Sequence, residues 1–114
     1  MVSMKNDYYS FRETPQFTRK VLEKLVDEEY QKLQIRLCEF PDAGDLIKGS
    51  GGLRKIRQAA KGKGTRGGSR VIYYFAVAKE TFFMLDIYVK NEKEDLSQME
   101  INKLRSIVEE WLRQ

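Results

Sequence analysis

The chain has 114 residues, 41% of them hydrophobic and 33% charged, with a formal net charge of +4. Those values suit a single folded domain, residues 1–114, with one modest core, and they exclude an intrinsically disordered chain. With no histidine and one cysteine, Cys38, the sequence excludes an imidazole acid–base pair, a His-activated nucleophile and an internal disulfide, and it offers no zinc ligand set.

Met1 to Asp7 is polar and lacks the apolar core of a signal peptide. No apolar run approaches the roughly 20 residues that span a bilayer. A cytoplasmic location without membrane attachment is therefore expected. Tyr8 to Arg12 reads as a short first strand. Thr14-Pro15 then marks a helix start, with Thr14 as N-cap and Pro15 at the first helical position. Phe17, Val21, Leu22 and Leu25 follow at helical spacing. Asp27 opens a second helix, whose acidic first turn suits the positive end of the dipole. Its apolar stripe is Tyr30, Leu33, Leu37 and Phe40, and Pro41 and Gly44 stop it.

The centre of the chain differs in kind. Seven of the eight glycines lie between Gly49 and Gly68. From Leu46 to Lys79 there are nine basic residues and no acid, while the remaining 80 residues hold 12 bases and 17 acids. Segregation of that kind points to a polyanionic partner. Leu53 to Ala59 reads as a strand and Lys61 to Gly68 as a loop. Arg70 to Val77 and Thr81 to Val89 read as strands joined by a turn near Lys79-Glu80. Ser97-Gln-Met-Glu100 has the form of a capping box. Ile101, Leu104, Val108 and Trp111 then make one face of a last helix. The order is β-α-α-β-β-β-α, an α+β class with a small antiparallel-type sheet packed on helices.

Alternation along a strand assigns faces. Val71, Tyr73, Phe75 and Val77 should share a face with Phe83, Leu85, Ile87 and Val89 and pack on the helices. The other face, expected to be open, carries Arg70, Ile72 and Tyr74, with Phe82, Met84, Asp86, Tyr88 and Lys90 on the neighbouring strand. Arg70 then lies opposite Tyr88, with Lys90 just beyond. Strict alternation adds Lys55 and Arg57 to that face, although a bulge after Gly52 would shift them. Phe82 and Tyr88 could stack on bases. Arg70 has an alternative reading as a structural ion pair with Asp86 or with an acid of the last helix.

The segments Gly51-Gly-Leu-Arg-Lys-Ile-Arg57, Gly67-Gly-Ser-Arg-Val-Ile-Tyr-Tyr74 and Ile87-Tyr-Val-Lys-Asn-Glu-Lys-Glu-Asp-Leu96 resemble the HigB-like branch of the RelE superfamily, toxins of type II toxin–antitoxin pairs. The element order agrees with that resemblance over nearly the whole chain. It implies a metal-independent endoribonuclease that cuts mRNA on translating ribosomes and is blocked by a cognate antitoxin, expected to be a helix-turn-helix DNA-binding protein. No cofactor is implied. In this chemistry the 2′-OH attacks the adjacent phosphate and leaves a 2′,3′-cyclic phosphate. It needs a base, cations on the phosphorane and an acid for the leaving oxygen.

Carried over residue by residue, the resemblance puts Arg70 on the scissile phosphate, Lys55 in the place of the base, Arg57 as added phosphate charge, and Lys90 and Tyr88 at the end of the last strand. Arg54, Lys61, Lys63, Arg66 and Tyr74 are expected to contact RNA. Some relatives carry Tyr or His near the end of the last strand or the start of the last helix, and Asn91 to Ser97 offers neither; Tyr88 is the nearest tyrosine, and no general acid is assigned. The competing readings are a non-catalytic RNA-binding module built on the same basic face and a protein-binding domain whose basic groove receives an acidic peptide.

Overall fold

A computed structural model describes residues 9–59 and 68–114. The elements are β1 (Ser10–Glu13), α1 (Pro15–Lys24), α2 (Asp27–Glu39), β2 (Asp45–Leu46), β3 (Arg54–Gln58), β4 (Ser69–Ala76), β5 (Thr81–Val89) and α3 (Gln98–Arg113). The α+β class and the expected order hold, with the two-residue β2 added. The sheet is mixed, in the order β1-β5-β4-β3-β2. Three of its pairings are antiparallel, but β1 runs parallel to β5. A parallel pair needs a long connection, and here everything from α1 to β4 supplies it.

Local chemistry sets the helix ends as the sequence suggests. Thr14 Oγ1 accepts from the Phe17 N–H (3.0 Å) and donates to the Leu85 carbonyl (2.8 Å), so one buried hydroxyl caps α1 and ties it to the sheet. The Ser97–Glu100 box caps α3 reciprocally. Two apolar predictions fail at the helix surface. Leu22 is exposed, because it sits about 100° round the helix from Val21. Phe40 is exposed because α2 ends before it.

The largest correction concerns the sheet faces. Both are covered. One packs on α1 and α2 through Phe17, Val21, Leu33, Leu37, Ile56, Val71 and Tyr73. The other packs on α3 through Ile101, Leu104 and Val108, which meet Leu53, Ile72, Leu85 and Tyr88. Arg12 stands over the Trp111 ring at 3.9 Å and pins the far end of α3. A β-bulge redistributes the β5 side chains. Ile72 pairs with Asp86 and Tyr73 with Met84, leaving Leu85 as the extra residue. Beyond it the alternation is inverted. Phe82 and Met84 join Val71 and Tyr73 under α1 and α2, while Phe83 and Leu85 join Ile72 under α3. Simple alternation placed these four the other way round. Among the described residues, no helix is long and apolar enough to cross a membrane.

Candidate nucleic-acid interface

The candidate site begins with an unpaired edge. β2 pairs only with Arg54 and Lys55 of β3, so among the described residues Ile56 to Gln58 have no strand partner on that side. Alternation holds along β3. Ile56 is buried under α1 and α2, and Leu53 is buried under α3. Lys55 and Arg57 therefore share the α3 side of the sheet. Register then makes a row: Arg57 lies directly opposite Arg70, and Arg70 directly opposite Tyr88.

A cleft of about 530 Å³ opens along this edge. It is lined by Arg36, Lys55, Arg57 and Arg70, with Asp45 as the one acid and Ala43 and Ile56 behind them. Arg36 comes from the last turn of α2, and its Nη1 donates to the Arg57 carbonyl (3.3 Å). Among the described lining residues four are cations and one is an acid, a balance that suits an anion, and guanidinium forks suit phosphate geometry.

Arg70 is the buried member, at 6% exposure on the central strand. The ion pair with Asp86 considered above does not form, because Lys20 of α1 takes that carboxylate at 3.0 Å. Among the described residues, two buried side-chain polar atoms lack a hydrogen-bond partner: Arg70 Nη1 and Tyr88 Oη. They belong to directly paired residues. A buried cation with an unmatched N–H is unfavourable unless an anion arrives.

Lys55 Nζ pairs with Asp95 Oδ1 at 2.7 Å. Asp95 lies in the segment between β5 and α3. Its carboxyl is held below the usual range by the Lys55 hydrogen bond and charge, with Arg70 adding to the effect. Burial pushes the Tyr88 phenol up to about 12, and the nearby Asp95 charge adds to the rise. The phenol is therefore protonated at neutral pH.

The structure thus brings Lys55, Arg57, Arg70 and Tyr88 together. Lys90 follows β5, exposed in the turn, and lines neither the cleft nor the smaller cavity beside it. Arg54 faces the other way, and its Nη1 donates to the Gly44 carbonyl (2.7 Å) and the Asp42 carbonyl (3.3 Å), holding the loop that leads into β2. Tyr74 packs by α3 with its ring stacked on Phe83. Lys61, Lys63 and Arg66 lie outside the described residues. Neither proposed stacking ring is available. Phe82 is buried between Phe11 and Phe75, and the Tyr88 ring is buried under α3. Sequence reasoning missed Arg36 and Asp95. Nothing in the α2 periodicity singles out Arg36, because its role depends on where α2 crosses β3.

Residues 40–114 match the family described as the RelE toxin of the RelE / RelB toxin–antitoxin system. Among solved structures, a mutant of the E. coli toxin RelE in the free state superposes with a TM-score of 0.55 at 16% identity, covering 76% of this chain and 88% of that one. The isolated E. coli RelE toxin gives 0.53 at 18% identity, over 88% of this chain and 98% of that one. A chain of the intact E. coli RelBE toxin–antitoxin complex gives 0.52 at 19% identity, over 70% and 93%. At these identities the likeness is one of fold.

Proposed function

The chain belongs to the RelE toxin family, toxins of toxin–antitoxin systems, and from that premise we propose that it is an endoribonuclease that arrests translation by cutting mRNA on the ribosome. The observation that carries this reading is the buried, unmatched Arg70 guanidinium directly opposite Arg57 in a cationic cleft. Arg70 and Arg57 hold the scissile phosphate and stabilise the charge that develops on it. The 2′-oxygen forms a bond to phosphorus as the bond from phosphorus to the 5′-oxygen breaks. The 2′-OH proton passes to Lys55 acting as the free amine, its own proton having gone to water as it leaves Asp95, and the departing 5′-oxygen takes a proton back from water. The products are a 2′,3′-cyclic phosphate and a 5′-OH. The whole span 1–114 acts as one unit in this reading, because the α1–α2 core and the α3 core share a single sheet. The E. coli relative crystallised with its antitoxin supports a bound antitoxin here as well.

Primer extension on a defined mRNA, with and without purified ribosomes, tests the proposal. Wild type should create discrete new ends, and Arg70→Ala should create none while remaining folded. Intact mRNA in both arms, together with Arg70-dependent retardation of RNA, would favour the non-catalytic RNA-binding module. Co-expression of a small adjacent reading frame should restore growth if it encodes the antitoxin.

A further inference from the structure

Beside the cleft lies a second, smaller cavity of about 180 Å³, and Lys55 lines both. We propose that this cavity is a base-binding pocket, which takes the nucleobase of the nucleotide next to the phosphate held by Arg57 and Arg70. The proposal rests on the RNA reading above and adds to it a determinant of where the chain is cut.

Size is the first argument. A cavity of about 180 Å³ has room for one heteroaromatic base beside the phosphate site. Lining chemistry is the second. Ile47, Ile72, Leu96 and Ile101 make apolar walls from the β2–β3 connection, β4 and the start of α3. The polar groups are few: Tyr88, Lys48, Lys55 and Asp95. An apolar slot with a small number of directed polar groups is the usual form of a small-ligand site. A ligand that is flat and apolar on its faces, hydrogen-bonding at its edge and tethered to a phosphate is a nucleobase.

The third argument is the Tyr88 hydroxyl. Tyr88 lines this pocket and not the cleft, is 1% exposed, and its Oη has no partner. Its ring cannot stack on a base, so the hydroxyl edge is what it can offer. A buried donor left unmatched is costly, and a base-edge acceptor would satisfy it. Burial pushes the phenol up to about 12, so it keeps its proton and can donate it in a hydrogen bond to a base edge. Tyr88 is a recognition residue in this proposal. Discrimination follows from the same point. A base lacking an acceptor where Tyr88 points would leave the hydroxyl unmatched and be rejected more strongly than shape alone achieves.

The test uses an uncleavable 2′-O-methyl RNA hexamer and a set in which one abasic nucleotide is walked along it, with binding to the full chain read by fluorescence anisotropy. One position should matter, and its abasic form should bind about tenfold more weakly, the scale of a single base contact. Leu96→Trp and Ile47→Trp, two partly exposed wall positions, should each fill the pocket and abolish that difference while keeping Arg70-dependent binding. The pocket is disproved, with the phosphate site intact, if no abasic position weakens wild-type binding by more than twofold. It is equally disproved if the sensitive position stays sensitive in both filled variants. If wild type binds the hexamer no better than Arg70→Ala does, the pocket fails as a site for free RNA, while cleavage on the ribosome stands or falls by the primer-extension assay above.

Discussion

The two faces of the sheet bury polar side chains in opposite ways. Under α1 and α2, Glu13 is buried and accepts from Tyr30 Oη (2.5 Å) and Thr18 Oγ1 (2.7 Å). Tyr73 Oη donates to the Pro41 carbonyl (2.7 Å) and accepts from the Gly44 N–H (2.9 Å), which fixes the loop leading to β2. Each of these groups is matched, and each ties one element to another. On the α3 side, Arg70 and Tyr88 are just as buried, yet each keeps a polar atom without a partner. Burial alone therefore does not mark a functional residue. What separates the faces is whether the buried group already has its complement. A matched group stabilises the fold, whereas an unmatched one is a cost to it unless something binds there.

Arg70→Met breaks the comparison most severely. Cleavage should fall by about 10²–10³-fold, the usual consequence of losing one preorganised donor to a developing charge. Thermal stability should hold or rise, because an aliphatic side chain removes a buried and incompletely matched cation. A melt that drops by many degrees would mean that Arg70 is structural and that the contrast between the faces is false. Tyr30→Phe asks the converse question. It takes a donor from the buried Glu13 carboxylate and should destabilise by about 1–3 kcal/mol in denaturant unfolding. Cleavage per folded molecule should stay at the wild-type rate. A specific loss of activity instead would put Tyr30 in the site.

The matched face was the more legible one in the sequence. Thr14-Pro15, the acidic turn after Asp27 and the period of Phe17, Val21, Leu33 and Leu37 are local signals, and the structure follows them. Lys55, Arg57, Arg70 and Tyr88 were also within reach, since alternation along β3 and the register near Arg70 are regular. Two things were not. The bulge at Leu85 has no residue signature, being neither glycine nor flanked by one, so the faces of Phe82 to Leu85 came out inverted. The coverage of the Arg70 face by α3 is a matter of tertiary packing. An apolar stripe such as Ile101, Leu104 and Val108 says that a face is buried and not which surface buries it. The same limit hides Arg36 and Asp95. Both reach the site from other elements, and only the crossing of α2 over β3 and the path from β5 into α3 decide where they lie.

Smaller perturbations at the start of α3 refine the contrast, because α3 is the cover of the unmatched face. Ser97→Ala removes the acceptor for the Glu100 N–H (3.1 Å) and should cost about 1 kcal/mol. Any added effect on base selectivity would come through Leu96, the preceding residue and a wall of the pocket. Glu100→Gln is the mildest change. Contact with Lys93 and then the Ser97 N–H (2.8 Å) hold the Glu100 carboxyl below its ordinary value of 4.5. A pKa lowered by folding favours the fold above the unfolded value, and the benefit fades as the pH falls through the folded one. The stability gap between wild type and Glu100→Gln should therefore be open at pH 7 and closed near pH 3. At so exposed a position it should amount to about 0.5 kcal/mol or less. Urea melts of both proteins at the two pH values read it directly. A gap that persists unchanged in acid would show that the carboxylate charge is not what secures the start of α3, leaving the Ser97 hydroxyl to hold the cover over Arg70 and Tyr88.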